Sequence, residues 1–279
     1  MMSVNSATGS GSGTGFRNRF GELMAYRELI FNLTARDVKL KYKRSSLGVA
    51  WSLLYPLFMM AIYTAIFNVF LRAVNTPNYW ALVLGGLVVW LFFSSAIGSA
   101  TTSFVNGSNL ISKIYFPVET LPIASVLANF VNLLISLAIL VPVLAILRLP
   151  LGSSLILLPV CLLALLVFCV GLAMMVASLT VYFRDLEHLI GLGLTALFYL
   201  SPVLYPLNPQ AIPAGGRKYL RLLELNPMSW FLDTFHRLLY YGTWPDPIRF
   251  ILMLAAAVVS LIVGYLLLQR MRARLAEEL

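Results

Sequence analysis

Six long windows of this chain contain no Asp, Glu, Lys or Arg: 45–71, 73–112, 120–147, 149–183, 189–216 and 250–269. A helix needs about 20 apolar residues to cross a bilayer, and each window supplies them. Hydrocarbon offers the backbone no hydrogen-bond partners, so only helices and closed barrels can span it. The runs are continuously apolar rather than alternating, which argues against a barrel. The chain therefore reads as an all-α integral membrane protein. Its six transmembrane helices are expected near 47–71, 79–104, 120–147, 152–182, 188–205 and 249–269. Composition agrees: 60% of the 279 residues are hydrophobic and 11% are charged. A soluble domain of this size could not hide so much apolar surface.

The net charge of +9 raises the possibility of a nucleic-acid partner, but the placement of the charges excludes it. Eight of the twenty Lys and Arg lie between Arg17 and Arg44, and Arg270, Arg272 and Arg274 close the chain. Basic residues that flank apolar runs orient a membrane protein. With a cytoplasmic N-terminus, six spans return the C-terminus to the same side. The inside then also holds Lys113 and Arg184, and the short outer loops hold only Arg72 and Arg148.

Residues 1–19 form a polar, Gly/Ser-rich stretch without an apolar core, read as a disordered tail and not as a secretory signal. The membrane domain covers 20–270, and 271–279 forms a cytoplasmic tail. Leu23, Tyr26, Leu29, Ile30 and Leu33 share one arc of a helix, while Glu22, Arg27, Glu28 and Arg36 lie outside it. This predicts an amphipathic helix on the inner surface. Asp37 and Lys41 would fall on its apolar face, so a break is expected near Arg36. Between the fifth and sixth spans, residues 206–245 stay rich in aromatic and aliphatic side chains. Two short helices are expected there. One covers "GRKYLRLLEL", and the second is capped by Asn226, starts with Pro227 and ends near Gly242. Too short to span, they read as an outer re-entrant or interfacial hairpin.

The signals for catalysis are weak. The only histidines, His188 and His236, are far apart, and no Cys/His cluster has metal-ligand spacing. No phosphate-binding loop of the GxxxxGK[ST] kind is present. Cys161 and Cys169, eight residues apart in one span, would be separated by about 12 Å of helix rise and cannot pair. No Asp, Glu, Lys or Arg lies within a span, Arg249 at the edge of the sixth apart, which argues against a proton-coupled carrier and for energy supplied from outside the bilayer. The second span carries Ser94, Gly98 and Thr102, and Ser95, Ser99 and Ser103, at four-residue steps that favour close helix packing.

Aromatic residues are the positive signal. Trp51, Tyr55 and Phe58 share one face of the first span, and Tyr63, Phe67 and Phe70 another. Trp90, Phe93 and Phe104 lie roughly in line with Tyr79 on the second span. Such faces either pack the bundle or stack on sugar rings. Two loops, "NLISKIYFPVETLPI" (109–123) and "VYFRDLEHLI" (181–190), mix cations and carboxylates at a membrane boundary. They serve either orientation and local ion pairing or docking to a soluble motor.

Together, "RSSLGVAWSLLYPL", "NLISKIYFPVETLPI", "VYFRDLEHLI" and "NPMSWF" resemble the membrane subunit of ABC exporters for O-antigen, capsule or teichoic acid. The resemblance implies a homodimer in a bacterial inner membrane, with both termini cytoplasmic. It also implies two copies of a separate ATPase that binds ATP and Mg, leaving this chain without a cofactor. ATPase contacts are then expected at Arg36, Lys39, Lys41, Lys43, Arg44, Lys113, Tyr115, Glu119, Arg184 and Asp185. A glycan path is expected along Trp51, Tyr55, Tyr63, Phe67, Trp90, Phe93 and Tyr199. Lys41, Lys43, Arg44 and Arg184 are expected to attract the pyrophosphate of a lipid-linked polysaccharide. A drug or lipid permease of the same architecture is the main alternative. The other is a membrane enzyme acting on polyprenyl phosphates, for which Arg184, Asp185, Glu187 and His188 form the only polar group.

Overall fold

A computed structural model describes residues 25–43, 45, 47–70, 76–111, 116–207 and 223–278. Among these the regular structure is entirely helical. Helix α1 (Arg27–Tyr42) packs on one end of a helical bundle. The bundle comprises α2 (Trp51–Thr64), α3 (Tyr79–Thr101), α4 (Thr120–Ile146), α5 (Leu158–Tyr182), α6 (Leu186–Tyr199), α7 (Pro227–His236) and α8 (Pro247–Glu278). Wider π-type turns prolong α2 over Ala65–Phe70, and a tighter turn over Ser153–Leu157 leads into α5. The expected tail at 1–19 lies outside the described residues. Residues 271–278, in the expected cytoplasmic tail, continue α8 to Glu278.

Five helical stretches are long and apolar enough to cross a membrane: Gly48–Asn68, Tyr79–Thr101, Thr120–Ile146, Ser153–Tyr182 and Pro247–Arg272. They fall on five of the six expected spans. The fifth expected span, 188–205, falls on α6, which has 14 residues, about 21 Å of helix against roughly 30 Å of hydrocarbon. It stops because Pro202 can neither donate a helical hydrogen bond nor leave Ser201 free to be helical. The chain then turns through buried backbone, with Val203 and Leu204 enclosed. The Tyr79 hydroxyl donates to the Leu204 carbonyl at 2.6 Å, and Asn226 Nδ2 donates to Ser201 Oγ at 2.8 Å.

Helix α3 is buried along most of its length, save the face of Ser95, Gly98 and Ser99, and forms the axis of the core. Helix α2 is the opposite, with Pro56 its one fully buried residue. Helices α5 and α8 approach through Gly171 and Gly264. A Cβ on Gly171 would lie 2.4 Å from the Ser260 carbonyl oxygen, and one on Gly264 would lie 2.1 Å from that of Gly171. Only glycine permits this contact, and Ser260 Oγ secures it by donating to the Phe168 carbonyl at 2.9 Å.

At the opposite end from α7, a second core joins Leu33 of α1 to Phe104, Leu121, Met174, Ala177 and Leu268. Tyr26 and Leu29 pack against it, so the expected apolar face is borne out. The expected break near Arg36 is not. Helix α1 runs unbroken to Tyr42, and the chain becomes extended at Lys43. Its inward face changes character instead, because Lys41 and Tyr42 meet two asparagines of α4.

Helix α7 begins as expected: Asn226 Oδ1 accepts from the Met228 backbone N–H at 3.0 Å, and Pro227 occupies the first turn. It winds through Arg237–Tyr241 and stops at Gly242, whose φ of +63° terminates the helix without strain. Its apolar residues Phe231, Phe235, Leu238 and Leu239 are buried in the main core. The first expected hairpin helix falls mostly on residues 208–222, outside the described residues.

Candidate functional site

A cavity of about 860 Å³ opens between α1, α3 and α4. Its walls are spacious because the facing residues are small: Ser95, Gly98, Ser99 and Thr102 on α3, and Ala124, Ser125 and Ala128 on α4. Asn129 is the hub. Its Nδ2 donates to Ser99 Oγ and to the Ser125 carbonyl, each at 2.9 Å, and its Oδ1 accepts from Lys41 Nζ at 3.4 Å. One turn on, Asn132 Oδ1 accepts from the Tyr42 hydroxyl at 2.6 Å. Ser136 Oγ donates to the Ser52 carbonyl at 3.0 Å, tying α4 to α2. A smaller cavity of about 400 Å³ shares Lys41, Ser95, Asn129 and Asn132, and continues to Trp51, Tyr55 and Pro56. Burial among these helices holds the Lys41 pKa below that of an ordinary lysine.

Sequence reasoning missed Asn129, Asn132 and Ser136. Their signal was present: three polar residues at i, i+3 and i+7 in an otherwise apolar span lie on one helix face. Polar side chains at membrane depth turn toward a partner or a cavity.

The expected aromatic path divides. Trp51, Tyr55 and Phe58 lie on one face of α2 and are exposed, Tyr55 by 47% and Phe58 by 60%. Phe70 is 80% exposed, whereas Tyr63 and Phe67 are part-buried. Tyr63 meets Phe198 of α6 at 5.6 Å. Tyr199, Leu189 and Leu192 continue the exposed face along α6. Trp90 and Phe93, by contrast, are 5% and 3% exposed. Trp90 packs on Phe198 at 5.5 Å and Phe93 stacks on Phe168 at 6.1 Å. They are core residues of the subunit, on the enclosed side of α3, and neither borders the open face.

The expected motor contacts divide similarly. Arg36, Lys39, Lys43, Arg184 and Asp185 are exposed at the α1 end. Arg36 also holds Asp37 Oδ1 through Nε at 3.0 Å and Nη2 at 2.9 Å. Glu119 is 2% exposed; its Oε1 accepts from Gln269 Nε2 at 2.7 Å, joining the start of α4 to the end of α8. It is a tie within the subunit, and its carboxylate does not face outward. Lys41 is exposed, and its Nζ reaches Asn129 at the cavity. Arg44, Lys113 and Tyr115 lie outside the described residues.

At the α7 end, Asp233 Oδ2 bridges Arg237 Nε at 3.0 Å and Arg249 Nη1 at 3.1 Å, and Arg249 reaches Glu224 Oε1 at 2.9 Å. His236 lies beside this network, wholly buried. Desolvation lowers its pKa to about 4 despite the nearby Asp233 carboxylate. It is neutral at physiological pH.

Spanning helices, a polar cavity at one end and an open aromatic face define a helical membrane transport subunit. A family model described as ABC-2 type transporter matches residues 28–240, and the chain belongs to that family. As such it is a transport subunit, and ATP hydrolysis is the work of a separate ATPase partner. Over 262 residues it is 32% identical to the O-antigen export system permease protein RfbA of Myxococcus xanthus, covering 92% of this chain and 98% of that protein. Over 251 residues it is 28% identical to the protein of the same name from Klebsiella pneumoniae, covering 90% and 94%.

Proposed function

We propose that this chain forms the channel of an ATP-driven exporter that moves a lipid-pyrophosphate-linked polysaccharide out of the cytoplasm across a bacterial inner membrane. The names of its full-length relatives support the substrate class. The observation that carries the reading is the exposed aromatic face shared by α2 and α6. An unpartnered face of this kind on a spanning helix needs either lipid or a second subunit. Rings such as Trp51, Tyr55 and Tyr199 stack weakly on sugars whatever their order, which suits a polymer that must slide.

Two copies would set these faces around a common path. Helix α6 and the buried backbone at 201–207 would complete a sixth crossing, since non-helical backbone is tolerated at membrane depth where protein encloses it. Both termini then lie in the cytoplasm. Helix α7 and the preceding segment cap the outer end as a re-entrant hairpin. Two ATPases, which bind the ATP and Mg, dock beneath at Arg36, Lys39, Lys43, Arg184 and Asp185, joined by Arg44, Lys113 and Tyr115. Lys43, Arg44 and Arg184 draw the substrate's pyrophosphate to the inner surface.

The test is transport in sealed vesicles containing the chain and its ATPase. ATP-dependent movement of a polyprenyl-pyrophosphate glycan is expected. Transport of hydrophobic drugs with no glycan movement would overturn the reading.

A further inference from the structure

The cavity between α1, α3 and α4 contains an uncompensated cation. Lys41 makes no ion pair among the described residues; its hydrogen bond is the long one to Asn129 Oδ1. The one carboxylate on the cavity wall, Asp37, is already held twice by Arg36. Two donors on the same wall are also unanswered. Ser103 Oγ and Asn132 Nδ2 are shielded from solvent without a hydrogen-bond partner, and Ser103 is 93% buried. Leaving such buried donors unpaired is costly.

The three groups ask for one kind of occupant: an anion with several acceptor oxygens. The cavity's position narrows the choice. Helix α1 is amphipathic and seated at one end of the spanning bundle, where lipid headgroups lie, and the anions there are lipid phosphates. The volume of about 860 Å³ leaves room for the group esterified to the phosphate.

We propose that this cavity binds the phosphate or pyrophosphate headgroup of a membrane lipid, held by Lys41, Asn132 and Ser103. Only the identity of that lipid rests on the export reading: it is the polyprenyl-pyrophosphate carrier if the cavity receives substrate, and an anionic phospholipid if the site is occupied by resident lipid.

Native mass spectrometry of the purified chain in detergent tests this with three probes: undecaprenyl pyrophosphate, phosphatidylglycerol and diacylglycerol. At least tenfold tighter binding of one anionic probe than of diacylglycerol is expected. Lys41→Gln should lose about tenfold, Lys41→Arg should retain binding, and Arg27→Gln, exposed on the same helix and outside the cavity, should bind as the parent does. Gly98→Phe supplies a second variant that keeps the charge. A Cβ there meets nothing within 4 Å, so the ring should fill the cavity and displace the headgroup without unfolding the chain. Preference for the pyrophosphate assigns the carrier, and preference for phosphatidylglycerol assigns a resident lipid. Equal binding of diacylglycerol, or unchanged binding in both Lys41→Gln and Gly98→Phe, would overturn the site. Loss of glycan transport in vesicles with lipid binding intact would count against export and leave this site standing.

Discussion

His236 shows how one buried side chain makes stability depend on pH. In the unfolded chain its imidazole titrates near 6.5, and in the fold near 4. Between these values the unfolded chain binds more protons, so stability is lost as pH falls. Thermal unfolding in detergent should show a loss of roughly 2 kcal/mol between pH 7 and 5, with little change above pH 7. His236→Gln should flatten that dependence; an equally acid-sensitive variant would assign it to another group. Glu119 carries a second prediction. Because its carboxylate accepts from Gln269 inside the subunit, Glu119→Ala should cost about 1–3 kcal/mol of stability. Coupling to the ATPase, measured as glycan-stimulated ATP turnover per folded complex, should survive. Loss of coupling at unchanged melting temperature would return Glu119 to the motor surface.

At the scale of elements, the contact of α5 with α8 depends on the absence of two Cβ atoms. Gly171→Val would put a branched side chain into the Ser260 backbone and force the helices apart. A loss of about 3 kcal/mol or more is expected, above ordinary overpacking because backbone must move. Gly98→Val, whose Cβ points into open space, is the control and should cost only helix propensity. Helix α1 teaches a different lesson. Its apolar arc through Leu33 was legible from periodicity, and its continuation past Arg36 was not. Periodicity assumes that the buried face is apolar throughout. Here Asn129 and Asn132, some 90 residues away, make a polar stretch of that face the better fit.

At the scale of the whole molecule, the open face of α2 and α6 should be wet in the assembled exporter. Cysteines placed at Tyr55, Phe58 or Tyr199 should react with a membrane-impermeant maleimide, and cysteines at the exposed α4 and α5 positions Ile139 and Leu163 should not. The native Cys161 and Cys169 are buried and give no background. Equal protection at both sets would make the α2–α6 face lipid-facing. Charge reversal at the exposed Arg36, Lys39 and Lys43 should weaken ATPase association or reduce glycan-stimulated turnover severalfold. If both survive, the motor contact lies elsewhere.

The sequence by itself determined the membrane class, five of the spans, the Asn226–Pro227 start of α7 and its stop at Gly242. Each follows from local physics: the length of a charge-free run, a cap, a fixed φ, a glycine in left-handed conformation. Tertiary structure decided which polar and aromatic residues face one another. It moved Trp90, Phe93 and Glu119 inward, ended α6 before Pro202, and gathered Lys41, Asn129, Asn132 and Ser103 around one cavity. Residue type sets what a side chain can bond to. Only the packing of helices distant in sequence decides which partner comes within reach, because burial and hydrogen bonding act across space rather than along the chain.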